Sequence, residues 1–371
     1  MSGGSATEHA VIDKSEIETL IQGLWQGGYT VVGPTIAQSA IVIDEIKSAA
    51  DLPIGWTDLQ EGGSYRLKKR DDQAYFGYAV GPHSWKKYLF PARLTLYTIK
   101  KNAAALEITA PDPAPRYAFL GVRGCDLRAI EVQDRTFLQG AYVDPHYKAR
   151  REQALVIAVN CAQAASTCFC TSMGSGPRAR GGYDLALTEF ADRFLVEVGS
   201  ERGQGVLASL ASRPAVQADL VLADDQARAT AESMTRTLDV SDMPGLFYEN
   251  LDHPRWDQVA ERCLSCTNCT MVCPTCFCHS VDDVPDLAGE TSQRVRVWDS
   301  CFNPEFSHVA GGNTRPQIRE RYRQWLTHKL ASWVDQFGVS GCVGCGRCIT
   351  WCPVGIDLTE ETAAIRGRLE A

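Results

Sequence analysis

Eight cysteines towards the C-terminal end of the sequence stand in two groups of identical spacing, and their thiols could hold metal. The first run consists of Cys263, Cys266, Cys269 and Cys273, and the second run of Cys342, Cys345, Cys348 and Cys352. In both runs the gaps are two, two and three residues, and a proline follows the last cysteine. Three such thiolates hold one [4Fe–4S] cube, while the fourth cysteine ligates the other cube. The spacing therefore predicts two [4Fe–4S] clusters and an electron-transfer role.

The same spacing predicts which thiolates share a cube. The gap of three residues begins a helical turn that points the last sulfur away from its own run. We expect cluster 1 to be bound by Cys263, Cys266, Cys269 and Cys352, and cluster 2 by Cys342, Cys345, Cys348 and Cys273. Gly341, Gly344 and Gly346 surround the second run, where they would bring backbone amides close to sulfur. Because such amides raise a cluster's reduction potential, we expect the two potentials to differ.

Structural zinc is the alternative for these cysteines. Zinc sites usually pair two C-x2-C halves across a spacer of about 12 to 20 residues. Here each run places its four cysteines in one short segment that ends at a proline, without such a spacer. The spacing favours iron–sulfur clusters over zinc or disulfides.

Composition restricts the class of protein further. The length of 371 residues favours two or three domains, and the net charge of −8 argues against nucleic acid as a partner. Residues 1–12 show no secretory signal, and no apolar run is long enough for a membrane span. Fifteen cysteines in such a chain indicate a cytoplasmic metal-binding protein rather than a disulfide framework.

Hydrophobic periodicity predicts an α+β protein with a tail and two domains. We expect a disordered tail at 1–12, an α/β domain with a mixed sheet at 13–244, and a mostly helical, ferredoxin-like dicluster domain at 245–371 with a long insertion at 274–341. The predicted helices cover 14–25, 127–138 and 317–337, with surface helices within 202–237. The predicted strands cover 29–32, 40–46, 65–67, 74–78, 117–122, 154–159, 183–190, 194–198 and 295–298.

Two of the predicted strands and the helix between them form a βαβ pattern. Both strands, 117–122 and 154–159, are continuous apolar runs, which is typical of buried parallel strands. Asp126 stands where an N-cap would start the helix. Ligand sites in open α/β sheets lie at the carboxyl ends of the strands.

Four further cysteines belong to this N-terminal domain. Cys125 and Cys161 each follow one of these strands, and Cys168 and Cys170 lie in a Ser/Thr/Gly/Pro loop that could fold over the same edge. Four is the number of thiolates that a cube needs, so we predict a third [4Fe–4S] cluster on this quartet. The alternative is that the cysteines are small buried apolar residues.

The last three cysteines are Cys276, Cys278 and Cys301. Three thiols do not complete a cube unless His279 or an exchanged cysteine supplies a fourth ligand. We interpret them as buried structural cysteines beside the clusters and leave them out of the predicted ligands.

Motifs for catalysis and nucleotide binding are missing from the sequence. No Gly-x-Gly-x-x-Gly follows a strand and opens a helix, so we expect no FAD or NAD(P) to be bound by this chain. The sequence contains no Walker lysine loop, HExxH or Gly-x-Ser-x-Gly pattern, and its seven histidines are scattered. With predicted clusters but no catalytic residue, the chain is expected to be one component of a larger redox complex.

Several segments resemble a known family over most of the chain, from about Val32 to Asp357. The matching segments are 121–127 (GVRGCDL), 167–174 (TCFCTSMG), 273–278 (CPTCFC), 298–301 (WDSC) and 342–348 (CVGCGRC), with shorter matches at 32–34, 51–55 and 65–67. They resemble the iron–sulfur beta subunit of cytoplasmic NAD(P)-linked nickel–iron hydrogenases, or sulfhydrogenases, and similarly the related iron–sulfur subunit of anaerobic sulfite reductase. One departure is the loop 310–316, where relatives carry a histidine after the glycines, and its role stays open.

The resemblance implies a function within a complex. A flavin- and NAD(P)-binding subunit would pass electrons into this chain, and its clusters would relay them to the small and large subunits of a nickel–iron hydrogenase. In the alternative subfamily the terminal partner reduces sulfite. A stand-alone iron–sulfur sensor is a third hypothesis, which would require a basic face or a DNA-binding motif that the sequence does not contain.

Overall fold

The structure is a computed structural model, and it describes residues 8–101 and 105–367. The strands are β1 (His9–Asp13), β2 (Thr30–Ala37), β3 (Ala40–Glu45), β4 (Trp56–Glu61), β5 (Ser64–Lys69), β6 (Arg93–Lys101), β7 (Leu106–Thr109), β8 (Tyr117–Val122), β9 (Leu155–Val159), β10 (Leu185–Glu189), β11 (Arg193–Val198), β12 (Ser212–Pro214), β13 (His279–Pro285), β14 (Thr291–Trp298), β15 (His308–Val309) and β16 (Gly312–Asn313).

The helices complete the set of elements. They are α1 (Glu16–Gln26), α2 (Lys86–Leu89), α3 (Gly124–Leu138), α4 (Pro145–Gln153), α5 (Glu201–Leu207), α6 (Gln217–Glu232), α7 (Met243–Glu249), α8 (Arg255–Arg262), α9 (Asn268–Met271), α10 (Ile318–Thr327), α11 (Trp333–Phe337), α12 (Arg347–Thr350) and α13 (Leu358–Ile365). A π-helical segment, His328–Ser332, joins α10 to α11.

The large sheet has eight strands in the order β12-β1-β11-β10-β9-β8-β2-β3. Its centre, β2-β8-β9-β10, is parallel, and the strands on both sides are antiparallel. All residues of β9 and β10 are buried, as expected for strands that are covered on both faces. The predicted mixed sheet is therefore confirmed.

The predicted βαβ unit is present, because β8 and β9 pair in parallel on either side of α3 and α4. The helix begins earlier than predicted, at Gly124, with Arg123 at the N-cap. The prediction of Asp126 as the N-cap was wrong. Asp126 lies inside the first turn and is 2 % exposed, because its carboxylate faces a buried arginine of another segment.

The predicted N-terminal tail is ordered where it is described. The segment 1–12 was expected to be disordered, but β1 pairs with β11 on one side and with β12 on the other. Val11 and Ile12 are buried, so this strand is held by apolar contacts as well as by its hydrogen bonds. Residues 1–7 lie outside the described residues.

A second sheet combines strands from both sides of the predicted boundary at 244. Its order is β13-β14-β6-β7, and β6 comes from the N-terminal half while β14 comes from the insertion. One prediction in the N-terminal half was wrong, because 74–78 is not a strand, and β4 was not among the predicted strands. Strands β6 and β7 are additional to the predicted strands.

The C-terminal part packs around aromatic side chains beside the cysteine runs. Trp256, Phe302, Tyr322 and Trp325 belong to one buried cluster with Phe169 of the N-terminal half. The helix predicted at 317–337 is present as α10, the π-helical segment and α11. A π-helical turn changes which side chains face inwards, and here it buries Lys329 between aromatic rings.

Within residues 8–101 and 105–367, every helix is too short or too polar to cross a lipid bilayer.

Candidate iron–sulfur sites

The first three cysteines of the first run line one cavity together with the last cysteine of the second run. Cys263 ends α8, Cys269 lies in α9, and Cys352 reaches the same cavity from the other run. Apolar walls come from Phe302, Tyr322 and Trp325, among others. The fold thus brings together the four thiols that we predicted for cluster 1.

The second run lines a separate cavity of about 300 Å³ together with Cys273 of the first run. Cys342, Cys345 and Cys348 line it, and so does Lys329. The four thiols that we predicted for cluster 2 therefore also meet. A short helix spans the third cysteine of each run, α9 in the first run and α12 in the second. Each helix leads the chain to the fourth cysteine, which lines the opposite cavity.

The backbone is nearly the same in the two runs. Ser265 and Thr267 have φ of 51° and 70°, and the corresponding Gly344 and Gly346 have 66° and 74°. The amide of Ser265 donates to Cys263 Sγ at 3.5 Å, and the amide of Gly344 donates to Cys342 Sγ at 3.5 Å. Left-handed backbone is unfavourable for Ser and Thr, so its presence in the first run indicates that the thiol geometry imposes it.

Close packing explains why the second run uses glycine. A Cβ on Gly344 would lie 2.6 Å from the carbonyl oxygen of Phe169, and one on Gly346 would lie 2.4 Å from that of Thr167. The amide of Phe169 donates to the Gly344 carbonyl at 2.9 Å. The second run is therefore covered by the N-terminal half, whereas Leu264 and Cys266 of the first run are exposed.

Charge also differs between the two cavities. Lys329 is 2 % exposed, and its ammonium donates to Cys273 Sγ at 3.2 Å and to Cys276 Sγ at 3.4 Å. A hydrogen bond from Cys276, assisted by the Lys329 and Lys86 charges, lowers the pKa of Cys273 well below its usual value. Burial raises the pKa of Cys342 to about 12. A thiolate at Cys273 is thus stabilised before any iron is considered.

The N-terminal quartet lies where the sequence placed it, at the carboxyl ends of β8 and β9. Cys125, Cys168 and Cys170 are at most 9 % exposed, and Cys161 is half-buried. Cys125 and Cys170 belong to one buried cluster, and the close approach of Gly176 to both residues places them side by side. Burial raises the pKa of Cys168 to about 12.

The surroundings of the quartet suit an anionic group. Arg123 is 2 % exposed and donates to the carbonyls of Phe76 and Tyr78 at 3.0 and 3.1 Å. Burial raises the pKa of Cys161, and the charge of Arg123 partly offsets that rise. Cys345 and Val343 of the second run pack in one buried cluster with Cys125 and Cys170. The quartet and the second-run cavity are therefore adjacent.

The three remaining cysteines also meet, which the sequence reasoning missed. Cys276, Cys278 and Cys301 line one space, the three-thiol cavity, together with His328 and Lys329. A signal was available, because Thr-Cys-Phe-Cys occurs both at 167–170, within the quartet, and at 275–278. The second copy of this tetrapeptide brings its two cysteines to a cavity that Cys301 lines as well.

Cysteine is the common donor at all these positions, and it is the usual ligand of iron–sulfur cubes. Among the described residues, no three or more His, Cys, Asp or Glu side chains are drawn together around one metal-ion position. The thiols of the two runs instead lie around the walls of two cavities. That arrangement fits a cube, whose ligands attach at separate corners.

Comparisons with known proteins agree with this donor set. Residues 262–356, which include both runs, match the 4Fe-4S dicluster domain family. The chain is 33% identical over 284 residues to sulfhydrogenase 2 subunit beta of Pyrococcus furiosus, a match that covers 76% of this chain and 82% of that protein. No solved structure matches the chain.

These findings define an iron–sulfur protein with a 4Fe-4S dicluster domain and a mixed α/β sheet. More particularly, the chain belongs to the family of sulfhydrogenase beta subunits and is a hydrogenase-related electron-transfer subunit.

Proposed function

We propose that this chain relays electrons through [4Fe–4S] clusters from a flavin- and NAD(P)-binding partner to a nickel–iron hydrogenase module. The observation that carries the proposal is the pair of cysteine cavities, each completed by the last cysteine of the opposite run. In this proposal, cluster 1 is bound by Cys263, Cys266, Cys269 and Cys352, and cluster 2 by Cys342, Cys345, Cys348 and Cys273.

The arrangement of the cavities supports a relay rather than isolated centres. The two run cavities share Cys348 in their walls, so the clusters would be close neighbours. The quartet Cys125, Cys161, Cys168 and Cys170 would hold a third [4Fe–4S] cluster next to cluster 2. Exposure of Leu264 and Cys266 makes the first-run end the natural point of contact with a redox partner.

The partners follow from the family. The relative is named as one subunit of a sulfhydrogenase, which supports a multi-subunit complex for this chain as well. In that complex the flavin- and NAD(P)-binding subunit and the hydrogenase small and large subunits would flank this chain. We propose a cytoplasmic location and no catalytic residue in this chain, since its role is to conduct electrons.

Isolation of the native complex under anaerobic conditions tests the proposal. We expect nickel in the complex, NAD(P) reduction that depends on H2, and bleaching of this chain's iron–sulfur absorbance when NAD(P)H is added. Siroheme with sulfite reduction would instead assign the chain to a sulfite reductase. A chain that is purified without iron, or whose clusters are not reduced in the complex, would overturn the relay.

A further inference from the structure

The three-thiol cavity is built by a hairpin within the insertion. Cys278 directly precedes β13, and Cys301 follows the end of β14. The register pairs His279 with Trp298, so the two cysteines stand at the same end of the hairpin. The Asp299 amide donates to the Cys278 carbonyl at 2.9 Å, and the Cys278 and Cys301 side chains line the same cavity. Strand pairing therefore positions these thiols, although they are far apart in sequence.

The size of this cavity matches that of a proposed cluster site. The three-thiol cavity and the second-run cavity are of similar size. Cys276 lines the three-thiol cavity and Cys273 lines the second-run cavity, so the two neighbouring thiols are divided between the two spaces. The three thiols therefore line a space of their own beside the second-run cavity.

Two buried cations lie beside these thiols. Lys86 is 4 % exposed and donates to the Cys276 carbonyl at 3.0 Å, and Lys329 is 2 % exposed and donates to Cys276 Sγ at 3.4 Å. Among the described residues, other lysines form ion pairs with carboxylates, but Lys86 and Lys329 do not. Buried charges require counter-charges, and thiolates on iron supply them. Lys329 lines both the second-run cavity and the three-thiol cavity, so cluster 2 would contact this lysine only from the second-run cavity.

We propose that Cys276, Cys278 and Cys301 bind a further iron–sulfur cluster beside the second-run cavity. The three thiolates hold three corners, and His328, which lines the same cavity, would supply a nitrogen to the remaining corner in place of its contact with Gln336. Histidine is a known ligand of iron–sulfur clusters, since two histidines replace two cysteines on one iron of Rieske [2Fe–2S] centres. The site shares Lys329 with the second-run cavity and Trp325 with the first-run cavity, so the cluster lies next to both.

Iron analysis of a double variant tests this site independently of the partners. Replacement of both Cys278 and Cys301 by alanine should lower iron and acid-labile sulfide by about three to four atoms per chain relative to the unmodified chain. The EPR signals of the two dicluster cubes should be retained. Ser300→Ala is the matched control, because Ser300 is buried beside Cys301 and carries no sulfur. It should leave the iron content unchanged.

The outcomes separate this proposal from the proposed function. Unchanged iron in the double variant, or a Cys278–Cys301 disulfide in the unmodified chain, would overturn the additional cluster and leave the relay untouched. If the double variant does not fold, Cys301→Ser nearly preserves the side-chain volume. With that variant we expect one Mössbauer component to change or disappear while the others persist, and an unaltered spectrum would again contradict the site.

Discussion

Arg347 Nη1 lies 2.9 Å from Oδ1 of Asp126, and both side chains are buried. The two atoms are close enough for an ion pair, although they are not oriented for a hydrogen bond. Asp126 follows Cys125 of the quartet, and Arg347 stands between Cys345 and Cys348 of the second run. This contact therefore ties the N-terminal α/β sheet to the dicluster region at the point where two proposed clusters adjoin.

Replacement of Asp126 by asparagine should destabilise the protein by about 3–5 kcal/mol, because it leaves the Arg347 charge buried without its partner. Urea unfolding of anaerobically prepared protein measures the change. Asp225→Asn is the control, since it removes the exposed ion pair with Arg228 and should cost less than about 1 kcal/mol. Equal effects of the two substitutions would show that the buried pair does not hold the two parts together.

Replacement of Cys273 by serine should perturb the cube of the second run, and Cys352→Ser that of the first run. The reason is that each cysteine lines the cavity of the opposite run. EPR of the reduced variants measures which cube changes. Each variant serves as the control for the other. Loss confined to the cube of the mutated residue's own run would contradict the exchange.

Replacement of Lys329 by methionine should lower the reduction potential of the cube in the second-run cavity. The ammonium donates to Cys273 Sγ at 3.2 Å and favours the more negative, reduced cube. A hydrogen bond to a charged group contributes about 1.5–3 kcal/mol, so a decrease on the order of 60 mV or more is expected. An EPR-monitored redox titration measures it, with the exposed Lys148→Met as control. A potential that does not move would remove Lys329 from the tuning of this cube.

Replacement of Cys168 by serine should remove about four irons per chain and leave both dicluster cubes intact. Cys168 is buried next to Cys161 and Cys170 and reaches neither run cavity. Iron analysis and EPR measure the effect. Thr171→Ser, in the same loop, is the control and should retain all iron. Full iron content in Cys168→Ser would show that the quartet is structural.

Acid should weaken the fold through His83. Burial lowers the pKa of His83, whose Nδ1 lies 3.3 Å from the Ile43 carbonyl oxygen. The folded state therefore holds the neutral imidazole, while the unfolded chain takes up a proton below about pH 6.5. This contribution to stability is present above about pH 6.5 and is lost as the pH falls through the folded-state pKa.

A substitution isolates that contribution. His83→Gln should show a smaller decrease in Tm than the unmodified chain between about pH 7.5 and pH 5.5. The exposed His308→Gln should behave like the unmodified chain. If both variants follow the unmodified chain, His83 is not a source of the acid sensitivity.

Local patterns in the sequence determined the chemistry and part of the fold. Spacing alone predicted two cubes with exchanged fourth cysteines, because ligand spacing within a short loop is a local property. The dicluster match agrees with the two clusters, and the third remains a prediction. The parallel pair β8 and β9 was predicted correctly, since buried strands carry continuous apolar runs.

Only the tertiary structure decided what depends on contacts between distant segments. The pairing of β6 with β14 joins residues about two hundred positions apart, and neither strand contains a signal for the other. The sequence pattern favoured Asp126 as an N-cap, but in the structure its carboxylate faces the buried Arg347 instead. Cys276, Cys278 and Cys301 form a site only because a hairpin and a π-helical turn bring them to one cavity with Lys329. Long-range packing, and not spacing, sets these arrangements.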